Sequence, residues 1–305
     1  MKKVLFWGLV VIIAVVAAGV GYGYYTLTHR VEGAYFDSDG VKIHYTDEGE
    51  GEPVVLIHGF AVNSDLNWRW EGIIDALAKD FRVVAMDLRG HGLSGKPHDA
   101  EQYGEEMAKD VVRLMDHLSI EKAHIVGYSL GAFISLKLAT MHPERMLTAC
   151  PLGAGWEKLE ESRVFPALEA LSRTLDSGHG IEPPSGKFGE GRARVGFLQT
   201  AMVRVMTGFF NDHQALAAVL RSARDLAVTE DAVRGIPVPV CSIVGTRDPL
   251  KVGVENMQGV VPDLKVVLVE NADHLRTPMR PEFLDALRAF LQAHRQGNDA
   301  EESTQ

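Results

Sequence analysis

The chain has 305 residues, of which 46% are hydrophobic and 24% are charged, and this composition indicates a globular protein with a large core. Its formal net charge of -10 provides little attraction to phosphates, so nucleic acid is a poor candidate partner. The two cysteines, Cys150 and Cys241, lie in apolar runs that favour buried strands. Because they form neither a disulfide framework nor a zinc-binding spacing, we expect no metal site.

The N-terminal segment resembles a membrane anchor. Lys2 and Lys3 precede a long apolar run, and the uncharged stretch 4–25 would form a helix about 33 Å long, enough to cross a bilayer. We predict that residues 1–30 form an uncleaved signal anchor, with the lysines in the cytoplasm and the globular part on the other side. A secretory signal that is cleaved, releasing the protein, is the alternative.

The elements that follow alternate between strand and helix. Two β-prone runs flank an Asp/Gly turn at 37–40 and predict a hairpin, and the apolar run 54–57 is typical of a strand buried on both faces. This alternation favours a mostly parallel sheet covered by helices on both sides. Further strands are predicted at 81–86, 123–126, 146–150, 238–244 and 265–269, and helices at 70–79, 103–118, 131–141 and 281–293.

Residues 152–235 break this alternation because they contain no clear buried strand. We interpret them as a helical cap over the carboxyl edge of the sheet, where ligands of open α/β sheets bind. The apolar character of the cap predicts an apolar substrate pocket. The tail 295–305 is polar and is predicted to be disordered. Helical spacing in the cap is found at Phe165, Leu168, Leu171 and Leu175, and again at Leu198, Met202, Val203 and Met206.

The segment 127–131 has the sequence Gly-Tyr-Ser-Leu-Gly and matches G-x-S-x-G. The pattern alone is short, but here it follows a predicted strand and opens a predicted helix, which is the setting of a nucleophile elbow. A serine that caps a helix would not require Gly127 and Gly131 on either side. We therefore predict that Ser129 is an exposed nucleophile at the N-terminus of a helix.

A serine nucleophile needs a general base, and an acid that orients the base. His274 follows the last predicted strand, and Asp248 follows the strand before it. The order Ser129, Asp248, His274 is the one that the elbow arrangement requires. Asp273, Asp225 and Asp231 are weaker candidates for the acid. Six further histidines lack the position after a strand, and we expect structural or surface roles for them: His91, His98, His117, His142, His179 and His213. His124 lies in the strand before the elbow, where we expect it to pack or to form a hydrogen bond.

An oxyanion hole requires two backbone N–H donors. We expect one from Leu130, which follows the nucleophile, and one from Phe60, in the loop after the strand 54–57. Gly59 would allow the backbone to approach the nucleophile closely. His58 is expected to brace this loop rather than to act as a base.

These motifs resemble the α/β-hydrolase superfamily, in its capped esterase, lipase and C–C hydrolase branch, over about 35–293. The residues that carry the resemblance are 58–60, the Asp-Leu-Arg-Gly-His-Gly-Leu-Ser loop at 87–94, which we expect to be structural, and the elbow 127–131. The resemblance implies an α/β fold with about eight strands, a core at 31–151 and 236–294, and the cap at 152–235. It also implies hydrolysis without a cofactor.

The resemblance has one departure, because Asp273 precedes His274 where a glycine is frequent. Haloalkane dehalogenases and epoxide hydrolases share the fold but use aspartate at the elbow. Since Ser129 stands there, an acyl-enzyme is the natural intermediate.

We expect a serine hydrolase that cleaves a small, apolar carboxylic ester or acyl substrate. A C–C bond hydrolase of vinylogous 1,5-diketones, a perhydrolase and a lactonase are alternatives with similar residues. A non-catalytic binding protein on a hydrolase scaffold, or a membrane-assembly subunit, belongs to a different class. No sequence pattern indicates the oligomeric state.

Overall fold

The computed structural model describes residues 31–176 and 211–296. Within these two ranges, no helix is long and apolar enough to cross a membrane. The predicted anchor at 1–30, the predicted helix around 198–206 and most of the polar tail lie outside the described residues. The anchor, the tail and the boundaries of the cap therefore stay predictions.

The sheet is mostly parallel, as predicted. Its first six strands have the order β1-β2-β4-β3-β5-β6, in which β1 and β2 run antiparallel to their neighbours and the other pairs are parallel. The strands are β1 (Ala34–Ser38), β2 (Val41–Glu48), β3 (Pro53–Ile57), β4 (Arg82–Met86), β5 (Ala123–Tyr128), β6 (Met146–Leu152), β7 (Cys241–Gly245) and β8 (Lys265–Val269).

The parallel pair β7-β8 continues this sheet beyond β6. The Ala149 N–H donates to the Pro239 carbonyl at 3.0 Å, and the Gly153 N–H donates to the Ile243 carbonyl at 2.9 Å. These bonds place β7 beside β6, so that the carboxyl ends of β3, β5, β7 and β8 share one edge. The predicted fold class is thereby confirmed.

Helices pack on both faces of the sheet. Side chains alternate along β3, so that Val55 and Ile57 join one apolar cluster while Val54 and Leu56 join another on the opposite face. This is the burial expected of a central parallel strand. The described helices are α1 (Ile73–Leu77), α2 (Glu105–His117), α3 (Leu130–Met141), α4 (Val164–Asp176), α5 (His213–Arg221), α6 (Glu230–Arg234), α7 (Lys251–Gln258) and α8 (Pro281–Ala293).

One helix prediction needs correction, and one helix of the core was not predicted. The helix predicted at 70–79 is shorter, because Gly72 has a left-handed backbone (φ 69°) that separates α1 from a short helix over Asp65–Arg69. Trp70, predicted as the first residue of the helix, precedes Gly72 and is 47% exposed. Helix α7 was not predicted, because its buried residues Gly253, Val254 and Met257 form only a weak apolar pattern.

A buried ion pair anchors the loop 87–94 to the core. Arg89 donates to both carboxylate oxygens of Asp110 at 2.6 Å, and both side chains are almost fully buried. Arg89 also donates to the Gln102 carbonyl, and Asp110 accepts from the Ser38 hydroxyl. Because every polar group here has a partner, loss of one charge would leave the other buried and unpaired.

We predict that Asp110→Asn destabilises the protein by about 3–5 kcal/mol, because the Arg89 charge loses its buried partner. Asp47→Asn is the matched control, since Asp47 pairs with Arg82 in a half-exposed position, and it should cost at most about 1 kcal/mol. Urea unfolding followed by circular dichroism measures both values. Equal losses in the two variants would contradict this account of the pair.

Candidate active site

The elbow at Ser129 is a one-residue turn between β5 and α3. Ser129 has φ 55° and ψ -109°, a left-handed conformation that is strained for a residue with a side chain. A Cβ at Gly127 would overlap the Gly131 backbone, and one at Gly131 would overlap the Ile57 carbonyl. Glycine is therefore required at both positions by close backbone approach, as the sequence pattern predicted.

The structure brings Ser129, His274 and Asp248 together. The Ser129 Oγ lies 2.9 Å from His274 Nε2, and His274 Nδ1 lies 2.7 Å from Asp248 Oδ2. The Asp248 side chain is fully buried, and its other oxygen accepts from the Leu250 N–H at 2.9 Å. The three side chains form one continuous hydrogen-bonded chain.

The positions of the protons along these hydrogen bonds are defined. An ionised carboxylate only accepts hydrogen bonds, so Nδ1 of His274 carries the proton that is donated to Asp248. The lone pair on Nε2 then faces the Ser129 hydroxyl and can accept its proton. The geometry is therefore that of a nucleophile, a base and an orienting acid.

The loop after β3 lies directly beside Ser129. A Cβ at Gly59 would be 3.3 Å from the Ser129 Cβ, so the absence of a side chain permits the close approach. The Gly59 N–H donates to Asn67 Oδ1 at 2.8 Å. Sequence analysis did not identify Asn67, because its role depends on a short helix that carries no motif. Asn67 fixes the backbone of the loop that contains Phe60.

His58 holds the same loop in place through hydrogen bonds of both its ring nitrogens. The Leu88 N–H donates to His58 Nε2 at 2.9 Å, which leaves the proton on Nδ1 to be donated to the Gly59 carbonyl at 2.7 Å. His91 packs edge-on against His58 and Phe60, with ring centroids 5.2 and 5.8 Å away. Burial lowers the pKa of His91 to about 3, with the neighbouring His58 as a smaller cause, so His91 is neutral.

Phe60 and Leu130 both border the cavity next to Ser129. In the part of the chain that the structure describes, neither backbone N–H donates to another protein group. Leu130 is the first residue of α3, where the helix leaves its N–H groups free and carries partial positive charge. Both N–H groups are thus available to an anion, and their role as an oxyanion hole stays a prediction.

Asp87 organises the loop that follows β4. Its carboxylate accepts from the Ser64 N–H and hydroxyl, both at 2.9 Å, and from the Leu93 N–H at 2.9 Å. The Ser94 hydroxyl donates to the Asp87 carbonyl at 2.6 Å. These bonds join the segment at Ser64 to the loop 87–94 and agree with the structural role expected of that loop.

A cavity of about 270 Å³ opens at Ser129 and His274. One wall comes from α4, through Phe165 and Leu168, and another from α5 and the turn after it. Within the described residues, Ser129 and His274 are the polar residues of this lining. The remaining lining residues are Phe60, Leu130, Phe133, Val164, Ala167, Val219, Leu220, Ala223, Leu226, Pro249 and Leu250.

The rival residues lie apart from the reacting atoms. The Asp273 carboxylate accepts from the Leu275 and Arg276 N–H groups and so shapes the loop beyond His274. Asp225 packs against Gly104. His124 is buried between Thr148 and Glu52, at 2.9 Å from each. No cluster of metal-binding side chains is found within 31–176 and 211–296.

Comparisons with known proteins agree on one fold. The family model for the alpha/beta hydrolase fold matches residues 52–178. A structure from a study of carboxylesterases of Nitrososphaera gargenis superposes with a TM-score of 0.68 over 85% of this chain and 98% of the other, at 22% identity. At that identity the likeness supports the fold alone.

Three relatives differ in activity. A 2-hydroxymuconate semialdehyde hydrolase of Pseudomonas sp. is 31% identical over 69% of this chain and 75% of its own length. A pimeloyl-[acyl-carrier protein] methyl ester esterase of Aliivibrio fischeri is 28% identical over 83% of this chain and 98% of its own. The acetyltransferase component of an acetoin cleaving system of Cupriavidus necator is 41% identical over 40% of this chain, which spans only 32% of that protein.

Proposed function

Because this chain belongs to the α/β-hydrolase family, we propose that it is a serine hydrolase that cleaves carboxylic esters through an acyl-enzyme on Ser129. The observation that carries the proposal is the hydrogen-bonded chain from Ser129 through His274 to Asp248, with distances of 2.9 and 2.7 Å, at the floor of an apolar cavity. This arrangement supports attack on a carbonyl carbon.

In the first half of the reaction, His274 Nε2 takes the proton of the Ser129 hydroxyl as Oγ attacks the ester carbonyl. Asp248 holds the imidazole in the required tautomer and stabilises its positive charge. The N–H groups of Phe60 and Leu130 stabilise the negative oxygen of the tetrahedral intermediate, and the partial charge at the start of α3 adds to this effect. His274 then protonates the departing alcohol.

In the second half, a water molecule replaces the alcohol. His274 removes a proton from this water, which attacks the acyl group on Ser129, and the same imidazole returns the proton to the Ser129 oxygen. The products are a carboxylic acid and the free enzyme. All proton transfers use one side chain, so no metal or cofactor is required by the scheme.

The cavity indicates the class of acyl group. Aromatic and aliphatic side chains such as Phe133, Phe165 and Leu168 surround the space above Ser129. Its volume of about 270 Å³ is near the lower limit of roughly 300 Å³ for small-molecule sites. A short, uncharged, apolar acyl chain fits such a space better than a long one. The esterase relative, whose name specifies a methyl ester, adds support for ester cleavage.

A C–C bond hydrolase is the second candidate. It is favoured by the 31% identity to the 2-hydroxymuconate semialdehyde hydrolase, which extends over 75% of that enzyme. Such a reaction could use the same serine, histidine and oxyanion donors. Perhydrolase and lactonase activities are further alternatives for the same site. A non-catalytic binding role would not account for the hydrogen bonds that join Ser129, His274 and Asp248.

We predict that the full chain hydrolyses p-nitrophenyl esters, fastest with short acyl chains between acetate and octanoate. Ser129→Ala should reduce turnover on the order of 10⁶-fold, because the nucleophile is lost. Ser172→Ala is the matched control, since Ser172 is a buried serine whose hydroxyl donates to a helix carbonyl, and it should retain turnover.

A fluorophosphonate probe separates the remaining outcomes. Labelling of Ser129 without ester turnover would favour the C–C hydrolase, to be assayed with a vinylogous 1,5-diketone. Neither labelling nor turnover in folded protein would contradict the proposed function and favour a binding protein.

We further propose that residues 1–30 anchor the enzyme to a membrane, with the catalytic domain on the non-cytoplasmic side; the support is the apolar run 4–20 after Lys2 and Lys3. The full chain should remain in carbonate-washed membranes and retain its N-terminal peptide in mass spectrometry. Protein found in the soluble fraction without that peptide would instead support signal cleavage and secretion.

A further inference from the structure

Tyr128 connects the nucleophile to the base. It is the last residue of β5 and directly precedes Ser129. Its hydroxyl donates to the backbone carbonyl of His274 at 2.5 Å. Among the described residues, no other hydrogen bond involves the backbone of His274. Its remaining hydrogen bonds, to Asp248 and Ser129, are made by the imidazole ring.

The Tyr128 ring also contacts the imidazole. The two ring centroids are 5.2 Å apart and the planes are inclined by 33°, so one face of the imidazole rests against the phenol ring. Tyr128 therefore contacts His274 twice, through the carbonyl and through the ring. The two ring nitrogens, Nδ1 and Nε2, bond to Asp248 and Ser129 respectively.

The core holds Tyr128 in a single position. Its side chain is buried, and Trp68 and Phe283 pack against it edge-on with centroid distances of 6.4 and 6.1 Å. Gly153, with φ 66°, leaves room for the ring, because a Cβ there would lie 2.7 Å from it. A buried side chain that is packed in this way can serve as a rigid support.

The Tyr128 hydroxyl keeps its proton at neutral pH and can therefore donate a hydrogen bond. Burial raises the pKa of Tyr128 well above its ordinary value, and the nearby Asp248 charge acts in the same direction. The His274 carbonyl can only accept a hydrogen bond, so the polarity of the bond is fixed.

We propose that Tyr128 is a positioning residue for the reaction, and this inference rests on the proposed function. Its hydroxyl fixes the main chain of His274, and its ring sets the plane of the imidazole, so that Nε2 stays in line with the Ser129 hydroxyl. A misplacement of about 1 Å in such a geometry can cost about 100-fold in rate. Since Tyr128 does not line the cavity beside Ser129, its loss should lower kcat and leave KM unchanged.

The test compares Tyr128→Phe with Tyr103→Phe in the full chain. Tyr103 is the matched control because it is also buried and its hydroxyl also donates to a backbone carbonyl, that of Pro97, at 2.6 Å. With a p-nitrophenyl ester, Tyr128→Phe should lower kcat about 10- to 100-fold at constant KM. Tyr103→Phe should keep kcat, although it loses a comparable hydrogen bond.

Two further readouts exclude a general loss of structure. Active sites are counted by complete fluorophosphonate labelling, and kcat is expressed per labelled site. The labelling rate itself should fall in Tyr128→Phe, because activation of Ser129 depends on His274. If Tyr128→Phe does not fold at the assay temperature, both tyrosine variants are compared at a lower temperature at which circular dichroism shows that each is folded, and kcat should again fall in Tyr128→Phe alone.

The inference is overturned if folded Tyr128→Phe matches Tyr103→Phe in kcat and labelling rate. It is also overturned if the loss appears in KM alone. Failure of the proposed function has a different signature, because the wild-type chain itself would then show no ester turnover, with or without labelling of Ser129.

Discussion

The structure of the site depends on one constraint, the turn at Ser129 from a strand into a helix within a single residue. The positive φ of Ser129 carries the strain of this turn, and the backbone passes so close to itself that Gly127 and Gly131 cannot carry side chains. In return, the hydroxyl is presented at the cavity and at the start of α3, where the helix has free N–H groups. The other groups are arranged around this fixed point.

These other groups come from different strands that end at the same edge of the sheet. Phe60 follows β3, Asp248 follows β7 and His274 follows β8, so their meeting with Ser129 depends on strand order and register. Two of these loops are fixed by a hydrogen bond with a buried side chain: Asn67 holds the loop before Phe60, and Tyr128 holds His274. Precise geometry at the end of a loop thus originates in the rigid core beneath it.

The sequence predicted those features that arise from local patterns. The strands and the elbow have short signatures, and Asp248 and His274 could be chosen because chain order and position after a strand restrict the alternatives. Asn67 and Tyr128 could not be found in this way, since their partners, Gly59 and His274, are defined only by the folded backbone. The helix predicted at 70–79 was too long, because Gly72 adopts a left-handed conformation and the helix begins only after it. The apolar spacing of the segment did not indicate this break. Helix α7 was missed because packing, rather than periodicity, stabilises it.

The central claim is that an acyl group passes through Ser129, and the most direct measurement is detection of that intermediate. The full chain is mixed with p-nitrophenyl butyrate, quenched in acid within milliseconds, digested and analysed by mass spectrometry. The account predicts a butyryl group on the peptide that contains Ser129, formed at a rate at least equal to kcat and absent in Ser129→Ala. Turnover without this adduct, or with an adduct on another residue, would contradict it.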